Sequence, residues 1–573
     1  MHLNDSLGVR AAAGEISFVC NLHEQASSFA AETYAKAVRG LGACMVTTGP
    51  GGTNAVTGVA GAWLDSTPVI FLSGQAKRPD LKGDIGVRQV GLQEVDIVSI
   101  VKPITKYAVT VMDPQEIRII LEKAAYEALS NRPGPVWIDI PLDVQAAPID
   151  PEALKRYEPP PPMVFPDLLK KVPEVINLLN SSRRPLILAG NGIRLSHAEP
   201  EFRRVMDRLG IPVIATWLAV DLFVYNDPLY LGKPGTVAPR GVNFALQNCD
   251  LLLVIGSRLD MTLTAYAPQH LARGAKKVMV DIDEAELRKL SAHIDVAIHS
   301  DAGQFLRALL DREGEVSVSE ISSWWQQCRK WKASWPLVDA SMRDPAKRVS
   351  VYHFGEILSE ELRENELIVS GSSGAGIEIF QHVLRLKKGQ RLFHTTALGS
   401  MGYGLPAAIG ACIALDRRET ICVEGDGGIQ MNIQELATVE RLKLPIKLFV
   451  LCNDGYSSIR TSQLRWFNRV MAADERTGMK LPDLSKVASA YGLPVHRISD
   501  QSRLRQEVRQ VLDMSGPVVC EVCCLLEEPR MPSTASAQRK DGSLYSKPLE
   551  DLWPFLSRKE FLANMIVPPL PEE

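Results

Sequence analysis

Two periods alternate along almost the whole chain. Short runs rich in β-branched and other apolar residues are followed by stretches whose apolar residues recur every three to four positions, which predicts strands of parallel sheets joined by helices. The predicted strands are residues 16–20, 44–48, 69–73 and 136–140 in the first third, and 185–189, 212–215, 251–255 and 277–281 in the middle. In the last third they are 366–370, 420–424, 445–452 and 517–523. Repeated β-α-β units of this kind specify α/β architecture, here three consecutive doubly wound parallel-sheet domains. The run Glu158-Pro-Pro-Pro-Pro162 continues neither a helix nor a central strand and marks the first boundary. The expected domains are 1–157, 166–312 and 345–545, with a tail at 546–573. Trp324, Trp325, Trp331 and Trp335 fall in a helical connector and are read as packing.

Composition narrows the function classes. The chain has 573 residues, 46% hydrophobic and 23% charged, with a net charge of −3. That supports several packed cores and leaves no broad positive field for nucleic acid or an anionic membrane surface. No apolar run approaches the roughly 18–20 residues that cross a bilayer. Asn4, Asp5 and Arg10 interrupt any signal-peptide pattern. The ten cysteines are scattered, and Cys20, Cys422 and Cys452 lie in apolar strand-like runs, as reduced core thiols do, which fits a cytoplasmic protein. Cys520 and Cys523 fall on opposite faces of a strand, so packing is expected there rather than metal or redox chemistry.

The richest stretch is Ile421-Cys-Val-Glu-Gly-Asp-Gly-Gly428, followed by a helical segment at 432–442 and a strand ending on Asn453-Asp-Gly-Tyr456. A strand closing on Gly-Asp-Gly puts one carboxylate at the carboxyl edge of a sheet, and Gly425, Gly427 and Gly428 let a diphosphate approach the backbone. The helix start that follows adds amide donors. One crossover later Asn453 can bring an amide oxygen to the same point. Mg²⁺ takes oxygen ligands octahedrally, so Asp426, Asn453, a carbonyl near Gly455 and two diphosphate oxygens would nearly complete its shell.

With three further segments the whole chain resembles the thiamine diphosphate enzymes of the acetolactate synthase group. His23-Glu24-Gln25 is expected to follow a strand and open a helix. Thr48-Gly-Pro-Gly-Gly-Thr-Asn54 follows the next strand, and Leu398-Gly-Ser-Met-Gly-Tyr-Gly-Leu-Pro-Ala-Ala-Ile-Gly410 precedes Gly-Asp-Gly. The resemblance implies a pyrimidine-binding first domain, a central nucleotide-fold domain and a diphosphate-binding third domain. It makes Glu24 the catalytic carboxyl at ring nitrogen N1′ of the cofactor, where it favours the imino tautomer through which the C2 proton leaves. Gly399 matches the position whose carbonyl accepts from the 4′-amino group, and Met401 the apolar prop between the two rings. Gly51, Gly52 and Asn54 line the site from the first domain, and the turn containing Gly371, Ser372 and Ser373 caps the diphosphate. Because Glu24 and Asp426 must reach one cofactor from different domains, the resemblance implies a homodimer or homotetramer.

Middle-domain segments Ala189-Gly-Asn-Gly-Ile-Arg194, Gly235-Thr236, Gly256-Ser-Arg-Leu-Asp260 and Asp281-Ile-Asp283 resemble those that hold FAD in the group, with Gly190, Arg258 and Asp283 as cofactor contacts. None is a G-x-G-x-x-G, so the residues alone leave the flavin open. Departures cluster on the acceptor side. Thr262 stands where biosynthetic members carry an arginine for the acceptor carboxylate, Ser462 where they carry a tryptophan, and Leu92, before the substrate-facing Gln93, where they carry a phenylalanine. The donor is expected to be a 2-oxoacid such as pyruvate, with a two-carbon unit passed to pyruvate, an aldehyde or a keto-sugar. The alternatives are a non-ligating 2-oxoacid decarboxylase, a 2-hydroxyacyl-CoA lyase or a silent cofactor-binding homologue. Family members carry a strand, a loop and most of a helix before the strand leading to the catalytic glutamate. The stretch before Glu24 is too short for these, so the expectation is either a late-assigned start or a first sheet without an edge element.

Overall fold

The computed structural model describes residues 1–372, 374–539 and 541–571. Among them, three all-parallel sheets follow one another along the chain. The first contains β1 (Gly42–Val46), β2 (Val69–Gln75), β3 (Tyr107–Thr110) and β4 (Val136–Pro141), in the order β1-β2-β4-β3. The second contains β5 (Pro185–Ala189), β6 (Val213–Ala215), β7 (Tyr230–Gly232), β8 (Leu251–Ile255), β9 (Lys276–Asp281) and β10 (Val296–His299), ordered β10-β9-β8-β5-β6-β7. The third contains β11 (Leu367–Ser370), β12 (Arg391–Phe393), β13 (Thr420–Gly425), β14 (Ile446–Cys452), β15 (Val495–Ile498) and β16 (Val518–Cys523), ordered β12-β11-β13-β14-β16-β15. A small hairpin of β17 (Ser536–Gln538) and β18 (Leu544–Ser546) follows. The chain's direction of winding reverses between β5 and β8 in the second sheet and between β11 and β13 in the third. Such switch points leave a crevice outside the carboxyl ends of the strands.

The expected strand at 16–20 does not form. Ile16 and Phe18 are half exposed, Cys20 is an exposed thiol rather than a core one, and no ladder runs beside them. The segment is tied instead to the third domain. The Cys20 carbonyl accepts from Arg441 at 3.0 Å, and the amides of Leu22 and His23 donate to the buried Glu435 at 2.8 and 3.1 Å. Glu24 therefore opens its helix (Glu24–Val38) after a loop, with the ring of His23 as N-cap. The first sheet has four described strands where each of the others has six.

That helix lies against helix Gly404–Ala414 of the third domain. A side chain at Gly410 would sit 2.2 Å from the Ala30 carbonyl, so glycine is what permits the approach. Phe29 stacks edge-on against Tyr403, and Thr33 and Tyr403 share a hydroxyl hydrogen bond of 2.9 Å. Trp324, Trp325 and Trp331 are buried packing residues of helix Ser322–Ser334; the first two donate their indole N–H to main-chain carbonyls and Trp331 donates to Asn564 Oδ1. Residues beyond the third sheet return over the central domain, where Asn243, Gln247 and Arg273 hold Leu549 and Glu550. Among the described residues no helix is long and apolar enough to cross a membrane.

Candidate active site

The β11/β13 switch point gathers the third-domain residues. Asp426 begins the short helix after β13, and Asn453 directly follows the adjacent parallel strand β14. The Asp426 carboxylate accepts from the amides of Gly427 at 2.8 Å, Asn453 at 2.9 Å and Gly455 at 3.2 Å, while burial pushes its pKa up to about 6. Asn453 donates its Nδ2 to Ser457 Oγ at 3.3 Å, yet its Oδ1 is buried with no hydrogen-bond partner. An orphan acceptor at that depth costs about 1–3 kcal/mol, which a hard cation would recover. Gly455 has φ +132°, and a Cβ there would lie 2.2 Å from the Ala473 carbonyl. At Gly425, by contrast, a Cβ would meet nothing within 4 Å, so the backbone faces open space where a diphosphate can approach. These donors and this opening fit a Mg²⁺–diphosphate group.

Glu424 escaped the sequence reading. It is buried beneath the loops that bound this crevice and accepts from the amides of Gly404 at 2.8 Å and Gly425 at 2.9 Å. Hypothetical side chains at Gly371, Gly404 and Gly428 would all strike its carboxyl at 2.3–2.5 Å. Burial pushes its pKa up to about 7 against those two amides. The available signal was an acid inside an otherwise apolar strand run. Ser372 adds a buried hydroxyl with no partner, and Gly399, at φ +67°, lies beside the Ser372 carbonyl. Met401 reaches towards Gly427, 3.8 Å from where a Cβ would stand. Ser373 lies outside the described residues.

The first-domain group is separate. Glu24 is half buried and accepts from Asn54 Nδ2 at 3.1 Å. Gly51 and Gly52 are buried near the start of helix Pro50–Leu64. Gln93 is exposed, in the left-handed region at φ +60°, and its carbonyl accepts from Thr48 at 3.3 Å. Leu92 is 89% exposed, and Ser462 is exposed on helix Ser457–Phe467. A cavity of about 250 Å³ reaches Asp426, and among the described residues those lining it all lie between Arg348 and Cys523, without Glu24.

The β5/β8 switch point opens into a larger cavity of about 670 Å³, within the range of small-molecule sites. Gly190 packs so closely on Gly256 that a Cβ would lie 2.0 Å from its carbonyl oxygen. Arg258, Asp281 and Asp301 line the cavity, and Ser372 and Gln381 contribute from the third domain. Burial raises Asp281 to about 6. Asp283 does not line it: its carboxylate pairs with Arg132 of the first domain at 2.7 Å and caps the following helix through the Ala285 amide. Thr262 turns its hydroxyl and amide back onto Asp260, at 2.6 and 2.9 Å.

Comparison with known proteins agrees with this layout. The chain matches the thiamine pyrophosphate enzyme N-terminal TPP binding domain over residues 1–100, the central domain over 172–309 and the C-terminal TPP binding domain over 374–522. These matches define the class, a three-domain thiamine pyrophosphate enzyme. The chain is 31% identical over 542 residues to the acetolactate synthase large subunit of Cyanidium caldarium, covering 91% of this chain and 88% of that protein. It is 32% identical over 530 residues to the acetolactate synthase large subunit of Parasynechococcus marenigrum, covering 90% and 82%. Over 517 residues it is 31% identical to the probable acetolactate synthase large subunit of Methanocaldococcus jannaschii, covering 89% and 85%. The chain belongs to the acetolactate synthase-like thiamine pyrophosphate enzymes.

Proposed function

We propose that this chain is a Mg²⁺-dependent carboligase that decarboxylates a 2-oxoacid, pyruvate first among them, and transfers the two-carbon unit to an acceptor carbonyl. The observation carrying this reading is the buried, partnerless Oδ1 of Asn453 beside Asp426, on adjacent strand ends. When bound, thiamine diphosphate supplies the carbon nucleophile and the electron sink for decarboxylation. The chain's residues do the rest. Asp426, Asn453 and the Gly455 carbonyl hold the cation, and Gly371, Ser372, Gly425, Gly427 and Gly428 cradle the diphosphate. Glu24 holds a proton at N1′, Gly399 accepts from the 4′-amino group, and Met401 keeps the two rings apart. Gly51, Gly52 and Asn54 complete the wall beside Glu24.

The active unit is a homodimer or homotetramer, in which the half-buried Glu24 and exposed Asn54 of one subunit cover the Asp426 crevice of another. Gln93 and Ser462, both exposed in the single chain, then face substrate. The switch-point cavity lined by Arg258, Asn191 and Gly192 takes FAD in size and place, with Gly190 packed behind it on Gly256 rather than lining it. At the acceptor, Thr262 offers no guanidinium and its hydroxyl is already used by Asp260, so a bidentate carboxylate clamp is missing. This favours an acceptor chosen by features other than a carboxylate.

The test is CO₂ release from pyruvate with thiamine diphosphate and Mg²⁺, followed by product analysis. Acetolactate, acetoin or a branched sugar means ligation; acetaldehyde alone means a non-ligating decarboxylase. No CO₂ from any 2-oxoacid would overturn the reading, and exclusive use of 2-ketobutyrate as acceptor would refute the missing-clamp argument.

A further inference from the structure

Two guanidinium groups grip the turn that carries Asn453 from opposite directions. From outside, Arg348 donates to the Asp454 carboxylate at 2.9 Å and to the Cys452 carbonyl at 3.3 Å. Asp454 is about two-thirds exposed there, so solvent screens the pair. From inside comes Arg460, whose residue is only 3% exposed. It sits one turn into helix Ser457–Phe467, and long helical side chains lean towards the helix N-terminus, which here is the metal turn. Its Nη2 donates to the carbonyls of Asn453 at 2.8 Å and Leu526 at 2.6 Å, and its Nη1 to the Asp454 carbonyl at 3.2 Å.

All three acceptors are main-chain carbonyls. Among the described residues no carboxylate lies within ion-pair distance of Arg460, and its Nε is buried without a partner. The Asp474 carboxylate feels its charge without pairing with it directly, and a buried cation without a direct ion pair is costly to keep, so a merely space-filling role would be better served by an apolar side chain. What Arg460 does uniquely is fix two successive peptide planes of the turn and pin them to the strand exit at Leu526. The same helix start supplies Ser457, whose hydroxyl holds Asn453 Nδ2 and so turns the orphan Oδ1 the other way. Asp454 at φ +60° and Gly455 at φ +132° show how far this turn departs from relaxed backbone.

We infer that Arg460 is a positioning residue for the divalent cation: it holds the 453–455 turn so that the Asn453 amide oxygen and the Gly455 carbonyl stay aimed at the point Asp426 faces. The inference rests on the metal-site reading above. It goes beyond that reading by assigning cation affinity to a residue that touches neither cation nor cofactor.

The test uses the full-length, metal-stripped protein with excess thiamine diphosphate, titrated with Mg²⁺ and then Mn²⁺. Binding is read by calorimetry and tryptophan fluorescence rather than turnover. Arg460→Gln should raise the Mg²⁺ half-saturation about 10- to 100-fold, the usual cost of losing an outer-shell support. The KM for the 2-oxoacid, measured at saturating metal, should not move. Arg460→Lys keeps a charge but cannot span three carbonyls, and should fall between, about three-fold or more above wild type. If Arg460→Gln does not fold, the Lys variant decides alone. A lowered melting temperature with an unchanged Mg²⁺ half-saturation overturns the inference. A wild-type protein that binds thiamine diphosphate equally well without any divalent cation overturns the metal site itself, and this inference with it.

Discussion

Glu24→Gln separates the two ends of the proposed site most cleanly. The replacement has the same shape, and its amide oxygen can still accept from Asn54 Nδ2, the one side-chain hydrogen bond Glu24 makes at 3.1 Å. Glu24 is half buried, so the cost to folding should stay within about 1 kcal/mol. The Asp426 crevice is lined by third-domain and neighbouring residues alone, with none from the first domain. The diphosphate grip should therefore survive, and affinity for thiamine diphosphate should change by no more than about ten-fold, the equivalent of about 1.4 kcal/mol. Turnover should not survive. An amide cannot exchange the proton that activates the cofactor, and positioned acid–base groups contribute roughly 10²- to 10⁴-fold, or about 3–5.5 kcal/mol of barrier. The assay pairs calorimetry of cofactor binding with CO₂ release under saturating cofactor, with circular dichroism as the folding control. Loss of binding with near-normal turnover in the bound fraction would refute the assignment of Glu24 to chemistry.

Asp426→Ala should give the opposite phenotype, with Mg²⁺ and cofactor affinity falling together by at least about 100-fold, or about 2.7 kcal/mol, in the same calorimetric titration. Gly410→Ala should destabilise by about 1–3 kcal/mol in a denaturant titration, because the new methyl meets the Ala30 carbonyl at 2.2 Å between the first and third domains. Asp139, buried in β4, is pushed up from 3.8 to about 6 by burial, against hydrogen bonds from Ser73, Gln75 and Thr110. A carboxyl whose folded pKa is raised favours the protonated fold, so its contribution is best below about pH 4, declines between about pH 4 and 6, and is lost above, by about 3 kcal/mol in all. Asp139→Asn removes that titration, so its melting temperature relative to wild type should rise across this window; a difference that stays flat with pH would refute it.

The strands that sequence reading found and those it missed divide by position in the sheet. Every strand at the centre of the three sheets is dominated by apolar residues and was legible, β5, β8 and β13 among them, even where a buried charge such as Asp139 or Lys447 interrupts the run. The five missed in these sheets, β3, β7, β10, β12 and β15, have only three or four residues each and all lie at sheet edges, and the short hairpin β17–β18 was missed as well. One face of an edge strand's neighbourhood is open, so the apolar run that signals burial on both faces is absent. The false strand at 16–20 fails for a related reason: its alternation of Ile16, Phe18 and Cys20 matches a strand, but its Cys20 carbonyl is taken by Arg441 and the amides that follow it by Glu435, more than 400 residues away in sequence. The metal side of the candidate site was legible because Asp426 and Asn453 depend on local strand-end geometry. Glu424 and Arg460 were not, since their roles depend on how glycines and carbonyls of several loops, Gly371, Gly404 and Leu526 among them, fold around them.

The division of the site between exposed and recessed halves bears on assembly. Within one chain the helix that begins at Glu24 already spends its buried face on the third domain, through Phe29, Thr33 and the Gly410 approach. Gln25 is likewise held by Asn432 at 3.0 Å. With the helix docked this way, Glu24 does not line the Asp426 cavity of its own chain. The exposed apolar residues Leu92, Trp466 and Phe467 lie on segments neighbouring Gln93 and Ser462 in sequence, where a second subunit would cover them. Active protein that sediments as a monomer at assay concentration would contradict the shared site, and mixing the inactive variants Glu24→Gln and Asp426→Ala tests it directly. Subunit exchange leaves a hybrid dimer with one site carrying both lesions and one site carrying neither, so partial recovery of activity is the expected outcome. No recovery, with exchange verified by a tagged subunit, would place both residues in a single chain's site.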